Sequence, residues 1–290
     1  MEMNVKKKIG DLDIEWSKLW QDGIMDAWSH QYIKKYGSIT AAWDHKAAEY
    51  TKSMEHSNRT QLIEKIEEHS PETVLDVGAG TGIFALPLAK SVKRVVAVEP
   101  SPGMLDILKN KAEANNLTNI ECINKKWEDT TINEVIALNK GKYDLIICSH
   151  ALYYITDLHD SFRKMNEVSK GFIYLLIGAG HDTDDSSYSK YYERIYERPE
   201  PTFPDYSFLY MTLRELDIDP NIEMLEAYAK RYVQNMDEAI DLWKEDIDGE
   251  LTEAQRDAIR DYLSDKIKKE GESLYWEWRS KDALISWRAE

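Results

Sequence analysis

Short, almost continuously apolar runs recur along this chain, with stretches of helical spacing between them. Val74–Val77, Val95–Val98, Ile120–Asn124, Tyr143–Ser149 and Phe172–Ile177 read as strands buried on both faces, and Asn221–Leu225 as a sixth. The chain closes with Leu274–Trp278 and Ala283–Trp287, whose β-branched and aromatic content suits a last strand. Strands alternating with helical segments predict an α/β fold on a mostly parallel sheet.

Residues 12–28 place Leu12, Trp16, Leu19, Trp20, Ile24, Ala27 and Trp28 near helical spacing, which predicts an amphipathic helix with an aromatic stripe. Packing against the main fold is the simplest use of that stripe; a substrate lid and a dimer surface are the alternatives. Tyr188, Tyr191, Tyr192, Tyr196, Tyr206 and Tyr210 crowd the segment 181–217, the candidate substrate cap, with Tyr188, Tyr192 and Tyr196 on one helical face. That face suits either a planar acceptor or the core. Arg198-Pro199-Glu200-Pro201-Thr202-Phe203-Pro204 breaks any helix there and predicts a shaped loop. A helix is expected near 236–247, and another opens on Thr252 with Gln255 in a capping box and ends at Gly271.

The junction after the first strand carries the chemistry. Gly78-Ala79-Gly80-Thr81-Gly82 follows Val77, and glycines there let the backbone take positive φ and approach a ligand closely. Glu99, at the end of the second strand, stands where doubly wound folds place a carboxylate on ribose hydroxyls. A dinucleotide site would want a small residue where Ile83 stands. Asp76 also disfavours a pyrophosphate, since its charge repels phosphate and attracts an α-ammonium group. S-adenosyl-L-methionine fits that charge.

D-V-G-A-G-T-G followed by V-V-A-V-E-P-S-P-G-M-L resembles motif I and the second acidic motif of class I S-adenosylmethionine-dependent methyltransferases. The resemblance implies a Rossmann-like α/β fold with a seven-stranded sheet, six strands parallel and the last antiparallel, and helices on both faces. Residues 1–70 would form an N-terminal helical cap and 71–290 the core, with insertions at 181–217 and 235–271. It implies that Gly78, Gly80 and Gly82 line the turn beneath the methionine part of the cofactor, that Asp76 holds its amino group and that Glu99 holds the ribose. Met104 would pack on the adenine or belong to the core, and Ser149 joins the cofactor-binding set. Trp43-Asp44-His45-Lys46-Ala47-Ala48-Glu49-Tyr50 is similar to the opening helix of small-molecule methyltransferases, where Tyr50 would close over the methionine end. Arg59, beyond it, is expected at the surface, the alternative being a pair with the cofactor carboxylate. Lys125-Lys126-Trp127-Glu128-Asp129 departs from the family pattern, because Lys126 replaces the usual adenine-recognising aspartate. Trp127 covering the ring and Glu128 accepting from its amino group is one reading; a packed Trp beside a solvated acid is the other.

The fourth strand delivers His150 to the carboxyl edge of the sheet, where open α/β folds bind ligands, and His150 is the leading catalytic candidate. A histidine has a suitable pKa to take an acceptor's proton. Tyr153 is the second candidate, orienting the substrate, with packing of the next helix as the alternative. A formal charge of −16 and a pI near 5.0 argue against nucleic acid, since Lys6-Lys7-Lys8 is the longest basic run. Cys122 and Cys148 sit inside apolar strands and the histidines show no ligand spacing, so neither a disulfide nor a metal is expected. No long apolar stretch or signal-like start is seen, so a cytoplasmic protein off the membrane is expected. The expected activity is methyl transfer from S-adenosylmethionine to a small molecule; the alternative is a regulatory or assembly protein that only binds the cofactor. Homodimerisation stays open.

Overall fold

The computed structural model describes residues 14–24, 30–54, 57, 59–179, 188–200, 204–247, 250–271 and 273–289. Four helices lead: α1 (Trp16–Ile24), α2 (His30–Tyr36), α3 (Ile39–Met54) and α4 (Thr60–Glu68). Then follow β1 (Thr73–Val77), α5 (Ala85–Leu88), β2 (Arg94–Val98), α6 (Pro102–Ala114), β3 (Ile120–Ile123), α7 (Ile132–Asn139), β4 (Tyr143–Ser149), α8 (Leu158–Val168) and β5 (Ser169–Gly178). After these come α9 (Tyr188–Tyr196), α10 (Tyr206–Glu215), β6 (Asn221–Val233), α11 (Met236–Asp241), α12 (Glu253–Ser264), β7 (Lys268–Glu270) and β8 (Ser273–Arg288).

Side chains alternate across a strand, so each central strand feeds two cores. Leu75, Val77, Val96, Val98 and Ile146 face Trp20 of α1, Phe162 of α8 and Leu209 and Leu213 of α10. Val74, Val95, Ala97, Leu145 and Ile147 face Leu62 and Ile66 of α4, Leu88 of α5 and Leu105 and Leu108 of α6. That two-sided burial explains why these strands read as unbroken apolar runs.

The sheet order is β3-β2-β1-β4-β5-β8-β6, with β7 paired to β8. The expected count of seven strands is corrected to eight among the described residues, because β7 and β8 form a hairpin. Six parallel strands are also corrected: β1 to β5 pair in parallel, whereas β6, β7 and β8 make only antiparallel pairs. Gly271 does not end a helix; with φ of +64° it turns β7 into β8, while α12 stops at Ser264. The capping box of Thr252 and Gln255 forms as expected. The two closing runs are one strand, and β6 extends to Val233; charged residues between the apolar ones hid that length.

β5 last pairs with β8 at Gly178 and Asp282, but β6 and β8 remain paired out to Val233 and Leu274. A ribbon of β6 and β8, joined at its far end by β7, thus projects past the carboxyl edge of the parallel strands. Its far end nucleates a third core, in which Val233 and Trp276 pack with Ile195, Ile240, Ile259 and Leu263. The described part of the segment 181–217 is divided between two cores. Tyr191 and Tyr196 of α9 join this third core, while α10 packs on α1 and the sheet. Trp20 is fully buried and Trp16 meets Phe208 edge-on at 5.7 Å, so the aromatic stripe of α1 packs against the main fold. Leu12, Ala27 and Trp28 lie outside the described residues, as does the basic run Lys6-Lys7-Lys8. Among the described residues no helix is long and apolar enough to cross a membrane.

Candidate active site

β1 ends in a turn that only glycine tolerates at its first position. Gly78 has φ of +75°, and a Cβ there would lie 2.2 Å from the Ala151 Cβ. The absent side chain lets the loop after β4 cross directly over the turn after β1. At Gly80, φ +53°, a Cβ would point toward Met104 Sδ at 3.5 Å and Tyr50 Cε1 at 3.9 Å. Three sequence candidates from three different elements therefore converge on one gap. Gly82 serves packing instead, since a Cβ there would meet Leu108 and Leu86 at 2.9 and 3.0 Å and its smallness lets α6 approach. The expected helix directly after the turn is only the single turn of α5.

Two buried acids flank this glycine turn. Asp76 is 2 % exposed, and its Oδ2 has no hydrogen-bond partner among the described residues. Burial, with a smaller contribution from the nearby Glu99 charge, pushes its carboxyl pKa up to about 7. Glu99 accepts from the Gly80 N–H through Oε2 and from the Ser101 N–H through Oε1, each at 2.9 Å. Each carboxylate oxygen keeps a second lone pair for a further donor. Tyr50 is held in the phenol form, its pKa raised to about 12 by burial, with Glu99 and Asp76 among the charges it feels. Arg59 donates to Met54 Sδ at 3.3 Å and opposes that rise, which places it beside Tyr50.

Asp44 was not singled out from sequence as a functional residue. Its Oδ1 accepts from Ser101 Oγ at 2.8 Å and from the Gly103 N–H at 2.6 Å, which ties α3 to the first turn of α6. Glu49 pairs with Arg231 of the ribbon, and Ser57 bridges Ala229. α3 thus spans from the glycine turn to the projecting ribbon, carrying Tyr50 between.

Trp127 is 3 % exposed and lies within the first core, its ring 4.8 Å from Lys164 Nζ. Lys164 donates to the carbonyls of Trp127, Glu128 and Thr130 at 2.7, 3.2 and 2.9 Å. The packed reading describes this Trp, and little of its ring is left for a ligand. Glu128 is half-buried and accepts from the Thr156 N–H at 3.3 Å. Lys126 is exposed.

Ser149 ends β4 half-buried, and His150 follows in a left-handed conformation with φ of +52°, its N–H on the Leu176 carbonyl at 2.8 Å. A non-glycine residue held there marks a constrained position. His150 Nε2 lies 3.2 Å from Asp282 Oδ2, and Asp282 is 5 % exposed on β8. Asp282 was missed because a lone acid in a closing strand gives no spacing signal. Tyr153 stacks between His150 and Trp20, at 6.4 and 6.2 Å between centroids, and its Oη accepts from the Gly178 N–H at 3.1 Å. Burial raises its pKa to about 12. Tyr154 meets Tyr153 and Trp43 edge-on, and Trp43 meets Tyr50 at 5.5 Å. A continuous aromatic wall therefore runs from His150 to the glycine turn. Among the described residues no cluster of His, Cys, Asp or Glu has the make-up of a metal site.

Residues 74–171 match the Methyltransferase domain family. An uncharacterized protein of Haemophilus influenzae is 26% identical over 282 residues, covering 96% of this chain and 98% of that one. The ubiquinone biosynthesis O-methyltransferase of Acinetobacter baylyi is 24% identical over 168 residues, 51% of this chain and 68% of its own. A probable ribosomal RNA small subunit methyltransferase A of Methanosphaera stadtmanae matches 62 residues at 44%, 21% of this chain and 23% of that one. The YcgJ protein from Bacillus subtilis superimposes with a TM-score of 0.51 at 14% identity, over 80% of this chain and 99% of that one, which speaks for the fold.

Proposed function

We propose that this chain is a class I S-adenosylmethionine-dependent methyltransferase whose acceptor is a small molecule bound along the aromatic wall beside the glycine turn. The observation that carries the reading is the wall itself: His150, Tyr153, Tyr154, Trp43 and Tyr50 link the carboxyl edge to the Gly80 gap under α3 and the ribbon. Such a lining suits a compact, largely apolar ligand. The charge of −16 gives no support to a polyanionic acceptor.

The residues fit the cofactor. The buried, unpartnered Asp76 Oδ2 is placed to take an ammonium donor, the open lone pairs of Glu99 to take ribose hydroxyls, and Met104 and Tyr50 to flank the gap at Gly80. When bound, S-adenosylmethionine supplies a methyl group already activated by its positive sulfur. The protein's part is then mainly alignment and exclusion of water. His150 is placed to hold the acceptor's proton, with Asp282 fixing the ring. Tyr153, whose phenol already accepts from Gly178, lines the wall and orients the acceptor.

The test is to incubate the protein with methyl-labelled S-adenosylmethionine and a whole-cell extract, then separate RNA, protein and molecules below about 1 kDa. Label in the small-molecule fraction is expected. Label confined to RNA or protein would overturn the proposal.

A further inference from the structure

We infer, resting on the small-molecule reading above, that the group methylated is a hydroxyl on a planar aromatic ring, with His150 taking its proton and Asp282 acting as the positioning residue.

Two observations converge. The first is the pair itself: His150 Nε2 and Asp282 Oδ2 are 3.2 Å apart at the carboxyl edge, the histidine one-third exposed and the acid almost fully buried. A carboxylate on one ring nitrogen fixes the tautomer and leaves the other nitrogen to accept a proton, so the pair is built for removing one. A neutral amine attacks with a lone pair it already holds, and a thiol ionises near neutral pH unaided. A hydroxyl is the acceptor whose attack gains most from such a base. Among hydroxyls, a phenol with a pKa of about 10 gives up its proton far more readily than an aliphatic alcohol.

The second observation is that the imidazole is part of the aromatic wall. His150, Tyr153 and Trp20 lie nearly parallel, at interplanar angles of 26° and 18°. A flat ring sliding along that stack brings a ring substituent to the imidazole edge, which a bulky aliphatic acceptor does less well.

The step balances. The ring hydroxyl gives its proton to His150 and an oxygen lone pair to the methyl carbon. The carbon–sulfur bond breaks with its pair left on sulfur, giving neutral S-adenosylhomocysteine, and the charge ends on the imidazolium beside Asp282 until the proton passes to water.

The experiment uses S-adenosylmethionine carrying a carbon-13 methyl, a small-molecule extract and the full chain. The carbon-13 shift of the product methyl reports the atom to which it is attached. An aryl methoxy signal is expected. An N-, S-, C-methyl or alkyl methoxy signal would overturn the inference while leaving the small-molecule reading intact; no labelled small molecule at all would remove both. With the labelled product's parent as substrate, His150→Gln should lower kcat by about 10²–10⁴ with S-adenosylhomocysteine binding unchanged. Asp282→Asn should lower kcat by about tenfold or more with little change in KM. Added imidazole should restore part of the rate to His150→Ala. Retained kcat in both His150→Gln and Asp282→Asn, or no rescue by imidazole, would contradict the assigned roles.

Discussion

Cofactor affinity should weaken as pH falls through neutrality, because the carboxylate that receives the cofactor's ammonium is itself hard to ionise. In the free protein, burial lifts Asp76 from 3.8 to about 7. Binding an ammonium requires the ionised form, so below about 7 each pH unit costs about 1.4 kcal/mol, a tenfold loss of affinity. Between pH 7.5 and 5.5 the ionised fraction drops by a factor of roughly 25. Titration calorimetry with S-adenosylhomocysteine across that range should follow this curve, with about one proton released per ligand at pH 5.5 and far less at pH 7.5. Asp76→Asn should bind weakly and lose this pH step, which separates it from any contribution of Glu99, whose pKa is also raised by burial. Flat affinity with no proton release in the wild type would refute the reasoning. The same shift acts on stability. A carboxyl raised from 3.8 to about 7 on folding keeps its full contribution below the lower value and loses it as pH rises through the upper one. Removing the charge with Asp76→Asn should therefore raise the melting temperature of the ligand-free protein at pH 8 by the equivalent of at most about 4 kcal/mol, and the gap should narrow at pH 5.

Three further outcomes are expected. Gly78→Ala puts a Cβ into the Ala151 side chain at a φ of +75° and should cost about 1–3 kcal/mol in urea unfolding together with most of the cofactor affinity; near-wild-type values for both would contradict the packing of the two loops. Lys164→Met removes the donor to three carbonyls of the Trp127–Thr130 loop and should cost about 1–3 kcal/mol in urea unfolding, with an unchanged midpoint counting against that staple. Glu49→Gln breaks a half-buried pair between α3 and the ribbon and should speed S-adenosylhomocysteine release by about two- to fivefold in stopped-flow measurements; an unchanged rate would mean that this pair does not steady α3 over the cofactor.

How far the sequence reached depends on how locally each feature is encoded. The parallel strands were legible because burial on both faces leaves runs such as Val74–Val77 and Val95–Val98 with almost no polar interruption. The glycine turn was legible for the same reason: its backbone demand is met by residue type at fixed offsets. The ribbon was not, since β6 and β8 are half-solvated beyond the sheet and interleave Glu226, Lys230, Glu277 and Arg279 with apolar residues. Glu99, Met104 and Tyr50 lie beside Gly80, with Asp76 within electrostatic reach of Tyr50. Asp44 and Asp282 escaped because their partners, Gly103 and His150, lie far along the chain. Trp127 shows the limit of position alone: a ring in the right loop is turned into the core by Lys164 behind it.

A crystal structure with S-adenosylhomocysteine bound would show where the cofactor sits. Its amino group is expected on Asp76 Oδ2 and its ribose hydroxyls on Glu99, with the sulfur facing the wall that ends at His150. A ligand seated elsewhere, or one that leaves Asp76 Oδ2 without a partner, would contradict that placement.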